Sequence, residues 1–186
     1  MALEDLNIYL FHCINAFAAK SPIFDSVVVF LAEHLNTVFI GFLLLLLVMQ
    51  WKTYRSVFTK ALLIVLMSLM LSECIDLFYH HPRPFQLEQG HKLIGHGASS
   101  SFPSQHTLTI VIVAFAYFME GFKKLGVMGL VLSSIVGLSR IYAGVHFPFD
   151  ILGSFMIGFV LVVATNAFLK EFAARVRKFR STQTLD

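Results

Sequence analysis

The sequence predicts an all-α protein, a polytopic membrane bundle of five to six helices. Three observations carry that expectation. Of the 186 residues, 57% are hydrophobic and 20 are Phe, whereas soluble domains run at about 45–50% apolar. Several apolar runs approach the roughly 20 residues that cross a bilayer. Spans placed near 36–50, 61–79, 105–121, 125–142 and 150–169 also sort the basic residues by side.

Residues 4–19 read as a short helix that Ser21-Pro22 ends, since proline suits a helix's first turn and not its interior. Residues 22–50 fit either one long tilted helix or a short helix to His34 followed by a span from Asn36, with Glu33 and His34 awkward inside a single span. The last two spans carry Gly126, Gly129, Ser133 and Gly137, then Ser154 and Gly158, a small-residue stripe of the kind that lets membrane helices approach closely. A basic tail follows from Lys170. The whole chain, 1–186, is expected to form one integral membrane domain, with an N-terminal helical segment at 1–35 and a motif-bearing region at 76–150.

Charge placement orients this bundle. Ten of the 14 basic residues, from Lys52, Arg55 and Lys60 through Lys123 and Lys124 to the tail, share one side, and Lys20, Arg83, Lys92 and Arg140 share the other. The positive-inside bias places the tail in the cytoplasm and the minority side outside. The opening MALEDLNIYLF carries Glu4 and Asp5 in place of a basic n-region, so the first helix is expected to be retained. Cys13 and Cys74 lie in apolar helical sequence and read as packing residues. They build no metal framework.

Nearly all the informative polar residues fall on the minority side, in three clusters. HHPRPF at 80–85 holds Arg83 between two prolines that stiffen the backbone, a rigid fork suited to phosphate or carboxylate. In SFPSQH at 101–106, Pro103 suits a helix start, which puts Ser104, Gln105 and His106 around an N-terminus whose free N–H groups and dipole attract anions. SRIYAGVHFPFD at 139–150 places Arg140 near the end of one span, where an unpaired charge is costly. Pro148 starts the next span, so Asp150 in its first turn is positioned to reach back to His146 and orient it. Two arginines, a helix N-terminus and two histidines on one membrane face are chemistry for a phosphate ester or anhydride carried by a lipid.

HHPRP, FPSQH and SRIYAGVHFPFD resemble, in order and spacing, the three signature motifs of the type 2 phosphatidic acid phosphatase superfamily. The small size, the opening MALEDLNIYLFHCINA and the RPF after the first histidines are most similar to the bacterial BcrC-type undecaprenyl-diphosphate phosphatases. The resemblance implies a phosphatase/haloperoxidase-like six-helix membrane core that needs no metal or other cofactor. It implies that His146 attacks phosphorus to form a phosphohistidine, that Asp150 orients it, and that His106 protonates the leaving oxygen. Arg83, Ser104 and Arg140, with the backbone at Gln105, would bind the non-bridging oxygens. The implied partners are a polyprenyl diphosphate and the bilayer, with no nucleic acid. The implied place is the bacterial cytoplasmic membrane with the site facing outward, in recycling of the cell-wall lipid carrier and resistance to bacitracin.

Two positions depart from the superfamily pattern. Asp76 stands where a lysine is usual, seven residues before Arg83, and Gln105 stands where glycine or aspartate is usual. Lys92, His80, His81 or His96 are candidates to replace the missing cation, and Asp76 and Glu73 read as structural partners for Arg83 or for water. Within the phosphatase class, phosphatidic acid and phosphatidylglycerophosphate are alternative substrates, and transfer to a second lipid is an alternative reaction. A non-catalytic lipid-phosphate binder is the competing class, and the intact His146 and Asp150 speak against it. Eight histidines invite a metal reading, but no His pair lies four apart within a span and no acidic ligand cluster accompanies them.

Overall fold

A computed structural model describes residues 3–183, so residues 1–2 and the end of the expected tail, 184–186, lie outside it. Six helices follow one another: α1 (Leu3–Asn15), α2 (Pro22–Met49), α3 (Trp51–Phe78), α4 (Gln105–Met119), α5 (Lys123–Tyr142) and α6 (Pro148–Gln183). Among the described residues there is no strand. Helices α2, α3, α5 and α6 are long and apolar enough to cross a bilayer. Helix α1, with 13 residues, is too short to do so.

The open question about residues 22–50 is settled in favour of one 28-residue helix. The awkward pair separates by face. Glu33 is half-buried and lies in electrostatic reach of Arg140, while His34 turns outward beside the Phe30 ring. Only Gln50 separates α2 from α3, which begins ten residues earlier than the expected span at 61. The tail is likewise no separate segment, because α6 continues without a break past Lys170.

Helix α4 is the axis of the bundle. Its buried residues, among them Leu108, Ile110, Val111, Ile112 and Val113, surround it on all sides, and α3, α5 and α6 pack against it. The small-residue stripe explains how they come so close. A Cβ on Gly126 would stand 2.5 Å from the Phe118 Cβ, one on Gly129 would stand 2.7 Å from that of Ala114, and one on Gly158 would stand 2.7 Å from Val111. In contrast, α2, α3 and α6 present Leu45, Met70, Val160 and similar side chains outward, as a lipid-facing surface requires. Cys13 and Cys74 also face outward, which corrects their reading as packing residues. Each lies on the outer side of its helix, a placement that apolar neighbours in sequence do not reveal.

The chain after α3 does not leave the bundle. Residues 79–104 fold back over the ends of α5 and α6, with a 3-10 turn at Pro84–Leu87. The Leu93 N–H donates to the Ala143 carbonyl at 3.0 Å, and Ile94 packs with Ala32, Ala143 and Val145. Gly144 makes this approach possible: its φ is +77°, and a Cβ there would lie 2.1 Å from the His91 carbonyl oxygen.

Helix α1 lies across the same end. Asn7, Phe11 and Asn15 recur every four residues on one buried face. Asn7 Oδ1 accepts the Phe149 N–H at 3.0 Å, and Phe11 meets Phe147 edge to face at 5.3 Å between centroids. Asn15 Nδ2 donates to the carbonyls of His91 (2.9 Å) and Tyr142 (2.7 Å), and its Oδ1 accepts the His91 N–H at 2.7 Å.

Candidate phosphate site

Two stretches far apart in sequence meet here: the 79–104 loop with the α4 N-terminus that directly follows it, and the α5–α6 turn. His146 stands at their centre, 2% exposed. Its Nδ1 lies 2.8 Å from the Ser101 carbonyl, and its Nε2 lies 3.1 Å from Arg83 Nη1. Arginine can only donate and a carbonyl can only accept, so the network assigns a neutral imidazole with the proton on Nδ1 and the lone pair on Nε2. Burial keeps it in that form, pushing the His146 pKa down to about 4.

Asp150 departs from the expected geometry. Its Oδ2 lies 3.6 Å from His146 Nδ1, beyond hydrogen-bond range. A carboxylate in the first turn of α6 faces back toward the helix start, and there it accepts the Phe147 N–H at 2.7 Å. The Ser101 hydroxyl donates a short hydrogen bond to the same oxygen. The group that holds His146 directly is therefore the Ser101 carbonyl, with Asp150 supplying charge close by. Ser101 is fully buried and its N–H also donates to the His81 carbonyl at 2.7 Å. Sequence reasoning passed over it, because its role depends on a backbone carbonyl and on a contact across 45 residues.

The two arginines behave differently. Arg83 Nε donates to the Ser99 carbonyl (3.0 Å), Nη2 to the Ser100 carbonyl (2.7 Å) and Nη1 to the Val145 carbonyl (2.9 Å). Arg83 thus ties the loop to the α5–α6 turn as well as facing His146. Burial lowers its pKa to about 10, which leaves it a cation at neutral pH. Arg140 is 2% exposed, with only a 3.5 Å contact from Nη1 to the Ala32 carbonyl. Its Nε and Nη2 have no hydrogen-bond partner. A buried guanidinium with two idle donors is costly unless an anion comes to it.

Ser104 sits at the N-cap of α4, but no side chain caps the helix. Its hydroxyl meets the Thr107 hydroxyl at 3.2 Å and its N–H donates to Ser154 Oγ at 2.9 Å. The Ser104 side chain thus takes none of the first-turn N–H groups of α4. Gln105 Oε1 is buried without a partner. His106, one residue further on, is half-buried and in electrostatic reach of Arg140, His96 and Arg83.

Of the four candidates to replace the missing lysine, only His96 lies beside the His146 ring, with ring centroids 6.4 Å apart. Burial lowers its pKa and the nearby arginines add to the effect, so it brings no charge at neutral pH. His80 pairs with Asp76 at 2.6 Å, which also answers where that carboxylate goes. Lys92 Nζ lies 3.8 Å from the Phe85 ring centroid and donates to the His96 carbonyl at 3.0 Å. His81 faces Asp150.

The PAP2 superfamily model matches residues 57–173, which include all three motif clusters. The chain belongs to the PAP2 superfamily. Among relatives, the bacitracin transport permease protein BcrC of Bacillus licheniformis is 34% identical over 163 residues, covering 85% of this chain and 78% of that one. The undecaprenyl-diphosphatase BcrC of Bacillus subtilis is 29% identical over 156 residues, covering 84% and 80%. The solved structure of Aquifex aeolicus LpxE superposes with a TM-score of 0.71 at 26% identity, over 90% of this chain and 99% of that one. The chain is thus a multi-pass PAP2 membrane phosphatase, and the helical membrane bundle expected from sequence is the PAP2 fold.

Proposed function

We propose that this PAP2 phosphatase hydrolyses undecaprenyl diphosphate to undecaprenyl phosphate and inorganic phosphate, without a metal, on the outer face of the bacterial cytoplasmic membrane. The observation that carries the chemistry is the neutral His146, its lone pair on Nε2, set among buried cationic donors of which Arg140 keeps two idle. In this reading the terminal phosphate is held by Arg140 and the first-turn N–H groups of α4, with Ser104 and Gln105 beside it. One of its oxygens takes over the Arg83 Nη1–H that now covers Nε2. The N–P bond then forms as the P–O bond to the lipid phosphate breaks, and His106 gives a proton to the leaving oxygen. Water attacks the phosphohistidine in the second step, with His106 accepting its proton. Phosphoryl transfer depends mainly on positioning and on charge stabilisation, which fixed cations and a helix N-terminus supply.

The substrate assignment is supported by the name of the Bacillus subtilis relative, undecaprenyl-diphosphatase BcrC. A phosphate on phosphatidic acid or phosphatidylglycerol would meet the same groups, and so would a lipid acceptor in place of water. The test is phosphate release by purified protein in EDTA, comparing undecaprenyl diphosphate, phosphatidic acid and phosphatidylglycerophosphate, with His146→Ala as control. The expected result is release fastest from the diphosphate, absent in the variant and inhibited by vanadate. Equal rates on all three lipids would remove the substrate assignment. Activity retained in His146→Ala would remove the mechanism.

A further inference from the structure

The carboxylate of Asp150 is shared by two histidines. On one side lies His146, 3.6 Å away, and on the other lies His81, whose Nδ1 is 3.6 Å from Oδ1. His81 Nδ1 is buried and has no hydrogen-bond partner, and its Nε2 lies 3.6 Å from Glu4 Oε1. Its ring stacks on Tyr79 and meets the Phe147 ring edge to face, so it is held in place beside the α5–α6 turn. The backbone is tied too, since the His81 carbonyl accepts the N–H of Ser101, the residue that orients His146.

Behind this pair is a second opening. A cavity of about 260 Å³ is lined by Glu4, Asn7, Tyr79, His81, Phe149 and Asp150. Neither Arg140 nor His146 lines it. Glu4, at its edge, has a side chain 51% exposed. The cavity thus opens His81 and Asp150 to the α1 side, apart from Arg140 and His146. The groups facing His81 are Asp150 from α6, Glu4 from α1 and Tyr79 beside it in the chain. Asp76 and His80 are paired with each other.

We propose that His81 is a positioning residue that sets the charge Asp150 presents to His146, and so tunes the reaction to the pH outside the bundle. The inference rests on the phosphohistidine reading above. When Nε2 of His146 bonds to phosphorus, its ring becomes an imidazolium, and the Asp150 charge stabilises it. A neutral His81 leaves that charge whole, whereas a protonated His81 turns Asp150 toward itself. The Asp150 carboxylate, with Glu4 adding to it, holds His81 above the ordinary imidazole value of 6.5, against a burial that pulls the other way. Protonation of His81 thus precedes that of His146, which burial delays to about pH 4.

The test is the pH profile of kcat at saturating undecaprenyl diphosphate for the wild type, His81→Asn and Glu4→Gln. The wild type should show two acid limbs, the upper a drop of about tenfold, equivalent to one pKa unit of differential interaction. His81→Asn should lack the upper limb and keep the lower. Glu4→Gln should keep the plateau rate and move the upper limb to lower pH. Substrate ionisation is common to all three proteins and cancels in the comparison. Loss of activity by the same factor at every pH in His81→Asn, or an upper limb unmoved in Glu4→Gln, would overturn the proposal. Imidazole NMR of His81, assigned by its loss in His81→Asn, reads the same equilibrium without turnover. A midpoint above 6.5 that falls in Glu4→Gln is expected, and a midpoint at or below 6.5 overturns the proposal even in a protein that releases no phosphate.

Discussion

Arg83 uses its guanidinium on Ser99, Ser100, Val145 and His146, while Arg140 keeps Nε and Nη2 without partners. Equal in the motif, the two therefore fail differently when changed. Arg140→Lys removes the planar fork but keeps the charge, and lysine cannot reproduce bidentate contact. The expected result is a fall of about 10²–10³-fold in kcat/KM, the usual size for a lost transition-state donor, with the melting temperature little changed. Arg83→Lys should lower both, because it also strips donors from two loop carbonyls and one in the α5–α6 turn, at about 1–3 kcal/mol for each buried group left without a partner. Parallel kinetics and thermal unfolding in detergent check both variants, and identical losses of stability would refute the division. Motif spacing identified both residues, but which of their donors are already taken is set by chain segments that spacing does not see.

Helix α4 has 15 residues, about 22 Å at 1.5 Å per residue, against a hydrocarbon core of about 30 Å. Its N-terminus therefore stops short of the membrane face when its other end is level with the far side. There Glu120 pairs closely with Lys60, which also donates to Asn166 at 2.7 Å. The expected span of 105–121 came within two residues of the element, and its shortness would recess the proposed phosphate site at its N-terminus. The small residues that let α5 and α6 approach α4 give a prediction at this scale. Gly126→Ala puts a methyl 2.5 Å from the Phe118 Cβ and 2.8 Å from its backbone nitrogen, so the helices must part. A loss of about 1–3 kcal/mol is expected. Gly41→Ala in α2 meets nothing within 4 Å, and should be neutral or stabilise by about 0.5–1 kcal/mol through helix propensity. Melting temperatures of the two variants decide, and a stabilised Gly126→Ala would contradict the close packing.

At the scale of the whole molecule, α1 and the 79–104 loop form one roof over the ends of α5 and α6, and Asn15 is the pin between them. Asn15→Leu leaves the His91 N–H and two carbonyls without this partner. Faster amide hydrogen exchange over residues 88–96 is expected, together with a lower kcat, while exchange in the middle of α4 stays slow. Unchanged exchange in the loop would show that α1 does not brace it. The sequence by itself determined the helical membrane class and the three motif clusters that the fold brings together. Those properties follow from hydropathy, proline placement and charge, which act locally along the chain. Only the tertiary structure decided that α2 is unbroken, that Ser101 holds His146, that Arg83 is occupied and Arg140 idle, and that Asp150 stands between two histidines. The arrangement around His146 rests on contacts between segments tens of residues apart, where a difference of less than 1 Å separates a hydrogen bond from a near approach, and no local pattern encodes that distance.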